Sequence, residues 1–190
     1  MMELLVNKAK TGDHDALTKL YALFREKIYR YVFFKCGNHS DAEDITDEVF
    51  LRVVESINSF HWKGIAFSAW LFRIAHNLVV DHYRYKARRN TEAIKDNDYI
   101  SENNWEQISE FLDDRDIVKV IYGHLDDLTE LQKEVMNLRF IGDLSLKETA
   151  DALSKNVNAV KAIQHAALKK LKDKVKKTNT KNLRTGAVSY

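Results

Sequence analysis

The stretch "SAWLFRIAHNLVVDHYR", residues 68–84, has the repeat of an amphipathic helix. Its apolar residues recur at i, i+3, i+4 and i+7, the spacing that lines one buried face of a helix. These residues are Leu71, Ile74, Ala75 and Leu78. The opposite row consists of Arg73, His76, Asn77, Val80 and Arg84, with aromatic residues just before and after it. A surface helix usually carries mixed charges there, so this basic and amide-bearing row is a candidate functional surface.

The composition excludes several classes of protein. Of 190 residues, 45% are hydrophobic, which is enough to bury a core, and the absence of proline together with only six glycines predicts an all-α fold. The single cysteine, Cys36, rules out an internal disulfide and fits a reducing, cytoplasmic location. No apolar run reaches about 18 residues and the N-terminus lacks a signal-peptide pattern, so we expect no membrane insertion.

Capping signals and charge divide the chain into two small helical domains. The apolar stripe of the first long helix ends at Gly37, a C-cap candidate, and three capping boxes predict later helix starts: "SDAE" (40–43), "TELQ" (129–132) and "SLKE" (145–148). Residues 91–116 hold nine acidic and two basic residues without an apolar period. We therefore predict domains over 1–90 and 117–176, an acidic, flexible linker over 91–116 and a disordered tail over 177–190.

The second domain has the pattern of a helix-turn-helix. A short helix ending near Leu153 is followed by a four-residue turn and a helix from about Asn158 to Val175. Residues 155–177 contain eight lysines and one acidic residue, which suits the neutralisation of DNA phosphates. An ordinary helical hairpin with a solvated lysine face remains the alternative.

The first domain shows two surfaces of opposite charge. On the helix opened by Ser40, acidic residues share one side: Asp41, Asp44, Glu48 and Glu55. This side is either solubilising surface or a docking face for a basic protein. No histidine or cysteine spacing supports a metal or acid/base site there. Residues 61–89 instead interleave six basic residues with aromatic rings, as suits single-stranded nucleic acid.

Three sequence blocks together resemble one protein family. These are "DAEDITDEVFLRV" (41–53), "AFSAWLFRIAHNLVVDH" (66–82) and, in the second domain, "LTELQKEVMNLRFIGDLSLKETADAL" (128–153) with "NAVKAIQHAALKKL" (158–171). They resemble the extracytoplasmic-function (group 4) sigma factors of bacterial RNA polymerase. The resemblance implies a sigma-2 domain and a sigma-4 domain, core RNA polymerase and promoter DNA as partners, and in some cases an anti-sigma factor.

The resemblance also implies roles for individual residues. It places contacts to the clamp helices of the largest polymerase subunit at Asp41, Asp44, Glu48 and Phe50. It places −10 recognition and melting at His61, Trp62, Lys63, Arg73, His76, Asn77 and Arg84. Sigma-4, which docks on the polymerase beta flap, would read the −35 element through Asn158, Lys161, Gln164, His165 and Lys169. It implies no catalytic residue, metal or cofactor.

The chain departs from the family pattern at two places. Ile163, Ala166 and Leu168 occupy positions where many members have arginines, and the loop 61–66 is about one residue longer than common versions. Two other readings stay open: a helix-turn-helix regulator that never joins polymerase, and an enzyme such as a nuclease using the 41–48 acids. The acidic face and aromatic loop of the first domain favour the sigma factor over the regulator, and no nucleophile or metal spacing supports the enzyme.

Overall fold

The computed structural model describes residues 1–89, 123–124 and 127–185, except the side chains of residues 89 and 177–185. All regular elements in this part of the chain are helical, as the composition predicts. The first domain contains α1 (Met2–Lys10), α2 (His14–Cys36), α3 (His39–Ser56), a 3₁₀ turn (Ile57–Ser59) and α4 (Phe67–Arg89). The second contains α5 (Glu130–Met136), a π-helical turn (Asn137–Ile141), α6 (Leu146–Ala152) and α7 (Val157–Thr185).

The helix ends of the first domain follow local signals, with one correction. Asp13 caps α2 by accepting from the Ala16 amide, and Gly37 ends it with a left-handed backbone, φ 62°. The predicted cap of α3, Ser40, is wrong, because Asn38 supplies the cap. Its extended backbone lets the side chain accept from the Asp41 amide at 3.0 Å, so α3 begins at His39.

The second domain is a helix-turn-helix. Both predicted capping boxes form, at Thr129 with Gln132 and at Ser145 with Glu148. Asn156 then accepts from the Ala159 amide at 2.7 Å and opens α7. The backbone of α7 continues to Thr185, beyond the end near Val175 that the apolar pattern predicts. No proline or glycine occurs between Val175 and Thr185, so no residue in this segment forces the helix to end where its apolar stripe ends. The linker 91–116 and residues 186–190 lie outside the described residues.

Helix α4 is buried on more than one face. Leu71 and Ala75 of the predicted stripe are fully buried, but Phe72 and Val79, which lie off that stripe, are buried as well. The reason is that α4 packs on α2 and α3 on one side and on α6 on the other. The two domains thus share one apolar cluster, which includes Phe72 of the first and Leu138, Ile141 and Leu144 of the second.

Candidate nucleic-acid interface

Two residues of the polar row on α4 are held by the second domain. The Arg73 guanidinium donates to the carbonyl oxygens of Asp151 and Ala152, the latter at 3.4 Å, at the C-terminal end of α6. The carbonyls of a helix C-terminus carry partial negative charge and otherwise lack intrahelical partners, so a guanidinium is a favourable cap for them. Arg73 is therefore engaged within the protein rather than directed to solvent.

The second engaged residue, His76, belongs to a buried charged cluster. We call Glu134, Lys35, His76 and Tyr31 the Glu134 cluster. Glu134, on α5, receives the Lys35 ammonium on one carboxylate oxygen; Tyr31 Oη at 2.7 Å and His76 Nδ1 at 3.0 Å contact the other. A neutral His76 protonated at Nδ1 and a charged His76 would both donate in this arrangement.

Electrostatics keep Glu134 ionised despite its burial. Desolvation alone would raise the pKa of Glu134, but the charges of Lys35 and His76 and their hydrogen bonds outweigh it and lower the pKa to about 2. Burial, followed by the adjacent Glu134 carboxylate, raises the pKa of the Tyr31 phenol well above 10, so Tyr31 remains a donor. The Glu134 carboxylate is therefore a buried charge that is both ion-paired and hydrogen-bonded. Proteins tolerate buried charges in such an arrangement.

The other residues of the predicted −10 set are exposed, except Trp62. Asn77 is exposed, and Arg84 is exposed beside Asp81, with Nη1 and Oδ1 3.5 Å apart. His61 and Lys63 are exposed in the loop. Trp62 is half-buried with its ring 5.0 Å from that of Phe60, and its buried Nε1 has no hydrogen-bond partner among the described residues. The predicted −10 set is thus split between an accessible part and the two residues held by the second domain.

The acidic side of α3 is not uniform. Asp44 is exposed, and Glu48 accepts from Arg52 at 2.9 Å. Asp41 Oδ2 instead lies 2.5 Å from Lys86 Nζ and 3.6 Å from His82 Nε2, both on α4. Asp41 therefore also connects α3 to α4 within the first domain. Phe50 is half-buried, its ring 4.7 Å from that of Tyr21.

Two apolar side chains beside the acidic residues were not predicted. Leu51 and Val54 of α3 are 53% and 54% exposed. Both lie off the buried stripe of α3, and that was the signal available in the sequence, since an apolar residue off the stripe has to face solvent or a partner.

The outer face of α7 carries most of the predicted −35 residues. Asn158, Lys161, His165 and Lys169 are exposed. Gln164 differs, since it is half-buried and accepts from Arg139 Nε at 2.9 Å, which ties α7 to the π-helical turn. Of the three positions that depart from the family pattern, Ile163 packs against a small core of Val135, Ala150 and Val160, whereas Ala166 and Leu168 face outward.

The part of the chain that the structure describes contains neither a metal site nor a membrane span. No group of three or more histidine, cysteine, aspartate or glutamate side chains in residues 1–89, 123–124 and 127–176 is arranged to hold a metal ion. Among the helices described, none is both long and apolar enough to cross a membrane.

Comparison with known proteins identifies the class. Residues 20–89 match the family "Sigma-70 region 2" and residues 124–173 match "Sigma-70, region 4", in that order along the chain. The chain is 34% identical over 174 residues to the ECF RNA polymerase sigma factor BldN of Streptomyces coelicolor, covering 90% of this chain but only 64% of BldN. It is 30% identical over 156 residues to the ECF RNA polymerase sigma factor SigX of Bacillus subtilis, covering 80% of each chain.

The fold agrees with this class. A solved structure of CnrH in complex with the cytosolic domain of CnrY aligns with a TM-score of 0.63 at 22% identity, over 91% of this chain and 96% of CnrH. The chain belongs to the ECF group of the sigma-70 family of RNA polymerase sigma factors.

Proposed function

We propose that this protein is an alternative sigma factor that joins core RNA polymerase and directs promoter recognition and DNA melting. The observation that carries the proposal is the presence of regions 2 and 4 in order on one chain, each with an exposed surface of the expected charge. The protein would act in the cytoplasm, where its polymerase and promoters are, and without catalytic activity of its own. A regulator that never joins polymerase would not need region 2.

The docking surface is the outer side of α3. Asp44 and Glu48 offer carboxylates, and the exposed parts of Phe50, Leu51 and Val54 add apolar area next to them. Interfaces commonly combine such an apolar centre with a charged rim. Asp41 would contribute less than its neighbours, because Lys86 already neutralises its carboxylate.

Promoter contacts divide between the two domains. Arg73, His76, Asn77 and Arg84, with the loop residues His61, Trp62 and Lys63, would follow and separate the −10 strands. In such a site the cations track the backbone and a ring can stack on an exposed base. The exposed residues of α7 would enter the −35 major groove, with Lys161 on the same side of the helix as His165 one turn later. Gln164 would act by positioning α7 through Arg139.

An anti-sigma factor is a further expected partner. The solved structure of CnrH contains the cytosolic domain of CnrY, and by analogy we expect this chain to bind a protein partner of that kind. Co-purification with the product of a neighbouring gene would test this.

Charge reversal on α3 tests the proposal. The double variant Asp44→Lys/Glu48→Lys should lower binding to core polymerase more than about tenfold, because like charges at an interface cost several kcal/mol. The control Glu3→Lys/Asp15→Lys makes the same charge change at exposed sites of α1 and α2. Run-off transcription from selected promoters should fall only in the α3 variant. Equal loss in both variants, or loss in neither, would contradict this docking surface.

A further inference from the structure

Helix α1 is bonded to the start of the loop that precedes α4. The Lys10 ammonium, at the C-terminal end of α1, donates to the Phe60 carbonyl oxygen at 2.7 Å, across 50 positions of sequence. We call this hydrogen bond the loop anchor. Phe60 directly precedes the loop 61–66, which holds three of the predicted −10 residues. A helix that carries none of the residues proposed to contact polymerase or DNA therefore holds one end of this loop.

Helix α1 offers a rigid support for the loop anchor. Val6 and Ala9 are buried, and the helix lies against α2 and against the 3₁₀ turn Ile57–Ser59 that leads into the loop. Lys10 follows Ala9 directly, so its side chain starts from a packed backbone. A hydrogen bond from an ammonium to a carbonyl is charge-assisted and about twice as strong as a neutral one.

The other polar contacts of the loop backbone are local. The Lys63 amide donates to the His61 carbonyl at 2.8 Å, and the Gly64 amide donates to the Trp62 carbonyl. These bonds shape the loop from within. Its orientation on the helices is left to its two ends and to the apolar contacts of Trp62 and Ile65 with the core. The loop anchor fixes the first of these ends.

Phe60 connects the loop anchor to a side chain that can read a base. Its ring is only 2% exposed and lies 5.0 Å from the ring of Trp62 and 5.2 Å from that of Trp70. Trp62 Nε1 is buried and has no hydrogen-bond partner among the described residues. A buried donor without a partner is costly, and an acceptor atom of an unpaired base placed beside it would satisfy it. The position of this donor depends on Phe60, whose backbone is held by Lys10.

We propose that Lys10 is a positioning residue for −10 recognition: through the Phe60 carbonyl it holds the loop 61–66 in the conformation that reads an unpaired base. This inference rests on the function proposed above for the loop. Cations on the protein attract a DNA strand whatever its sequence. Only molecules whose loop is in place distinguish one base from another, so the apparent affinity for the correct base scales with their fraction. Lys10 therefore acts on selectivity more than on overall affinity.

Hydrogen exchange tests the loop anchor without DNA. Lys10→Met keeps a long side chain but removes the ammonium, and the amides of peptides covering residues 57–66 should exchange at least about fivefold faster than in the wild type. The matched control Lys8→Met removes an exposed ammonium from the same last turn of α1 and should leave these peptides unchanged. Peptides of α7 serve as the internal reference. Unchanged exchange over 57–66 in Lys10→Met would overturn the loop anchor, whatever the protein does at promoters.

Promoter selectivity tests the consequence. A promoter selected from a randomised −10 library with the wild type and core polymerase is remade with each of the four bases at every −10 position, and run-off transcripts are quantified. At the position that the loop reads, the preference for the best base should fall about tenfold in Lys10→Met, the size expected for one hydrogen bond from a charged group. Lys8→Met should stay within about twofold of the wild type. Lys10→Arg should restore most of the preference, because a guanidinium also donates to a carbonyl oxygen.

The outcomes separate positioning from general stability. A merely structural role would lower transcription from all −10 variants alike and leave the base preference intact, and that result would overturn the proposal. An equal loss of preference in Lys8→Met would also overturn it, since the charge of α1 would then be the cause. A wild type that directs no run-off transcription would refute the proposed sigma function and with it the role in selectivity. The exchange data alone decide whether Lys10 anchors the loop.

Discussion

The clearest energetic consequence of the structure concerns Glu134. Its pKa falls from an ordinary 4.5 to about 2 in the folded protein, because Lys35 and His76 outweigh the cost of burial. That difference corresponds to about 3 kcal/mol of free energy of unfolding at neutral pH. Glu134→Gln keeps the shape of the side chain but removes the charge, so it should lower the free energy of unfolding at pH 7 by about this amount. Removal of one partner of a buried ion pair typically costs about 3–5 kcal/mol, which agrees.

The pH dependence follows from the sign of the shift. A carboxylate whose pKa is depressed on folding stabilises the protein fully above its unfolded pKa, here 4.5, and progressively less as the pH falls toward 2. The difference between the wild type and Glu134→Gln should therefore be clearly smaller at pH 3 than at pH 7. Subtraction of the two proteins removes the contributions of the titrating groups that do not contact Glu134.

Urea unfolding followed by circular dichroism at pH 7, 5, 4 and 3 provides the measurement. Glu130→Gln, an exposed carboxylate on the same helix, is the control and should change the free energy of unfolding by less than about 0.5 kcal/mol at every pH. A Glu134→Gln difference below about 1 kcal/mol at pH 7, or one that is equal at pH 7 and pH 3, would refute the account of the cluster given above.

Three further predictions concern other parts of the chain. Asn38→Ala should lower the free energy of unfolding by about 1 kcal/mol through loss of the α3 cap, whereas Ser40→Ala should leave it nearly unchanged; thermal unfolding compares them. Burial first, and then Asp41, raises the pKa of the Cys36 thiol to about 11, so its alkylation by iodoacetamide should be slow at pH 8 and accelerate up to pH 11; a fast reaction at pH 8 would contradict that environment. Lys161→Glu should weaken binding to a −35 duplex and reduce its salt dependence, and unchanged binding would move the contact away from this face of α7.

The local sequence determined where most helices begin and end and which helix faces carry acidic or basic residues. Asp13, Gly37, Thr129 and Ser145 act within one turn of their own position, so their effect on helix ends can be read without knowledge of the fold. The cap of α3 could not be predicted from the local sequence alone, since the choice between Asn38 and Ser40 depends on the backbone conformation that follows Gly37. The basic face of α7 and the acidic side of α3 are likewise properties of single helices, which explains why their exposed residues were predictable.

Only the tertiary structure decided which polar residues of α4 remain accessible to a partner. The periodicity of that helix predicted one buried stripe and one open polar row, yet Phe72 is buried and Arg73 and His76 bind the second domain. Glu134 reaches Lys35 across 99 positions of sequence, and no local repeat encodes such a pairing. The periodicity of a helix shows which of its faces are apolar. Which element packs against each face depends on the fold of the whole chain, because the contacting residues are distant in sequence and come together only on folding.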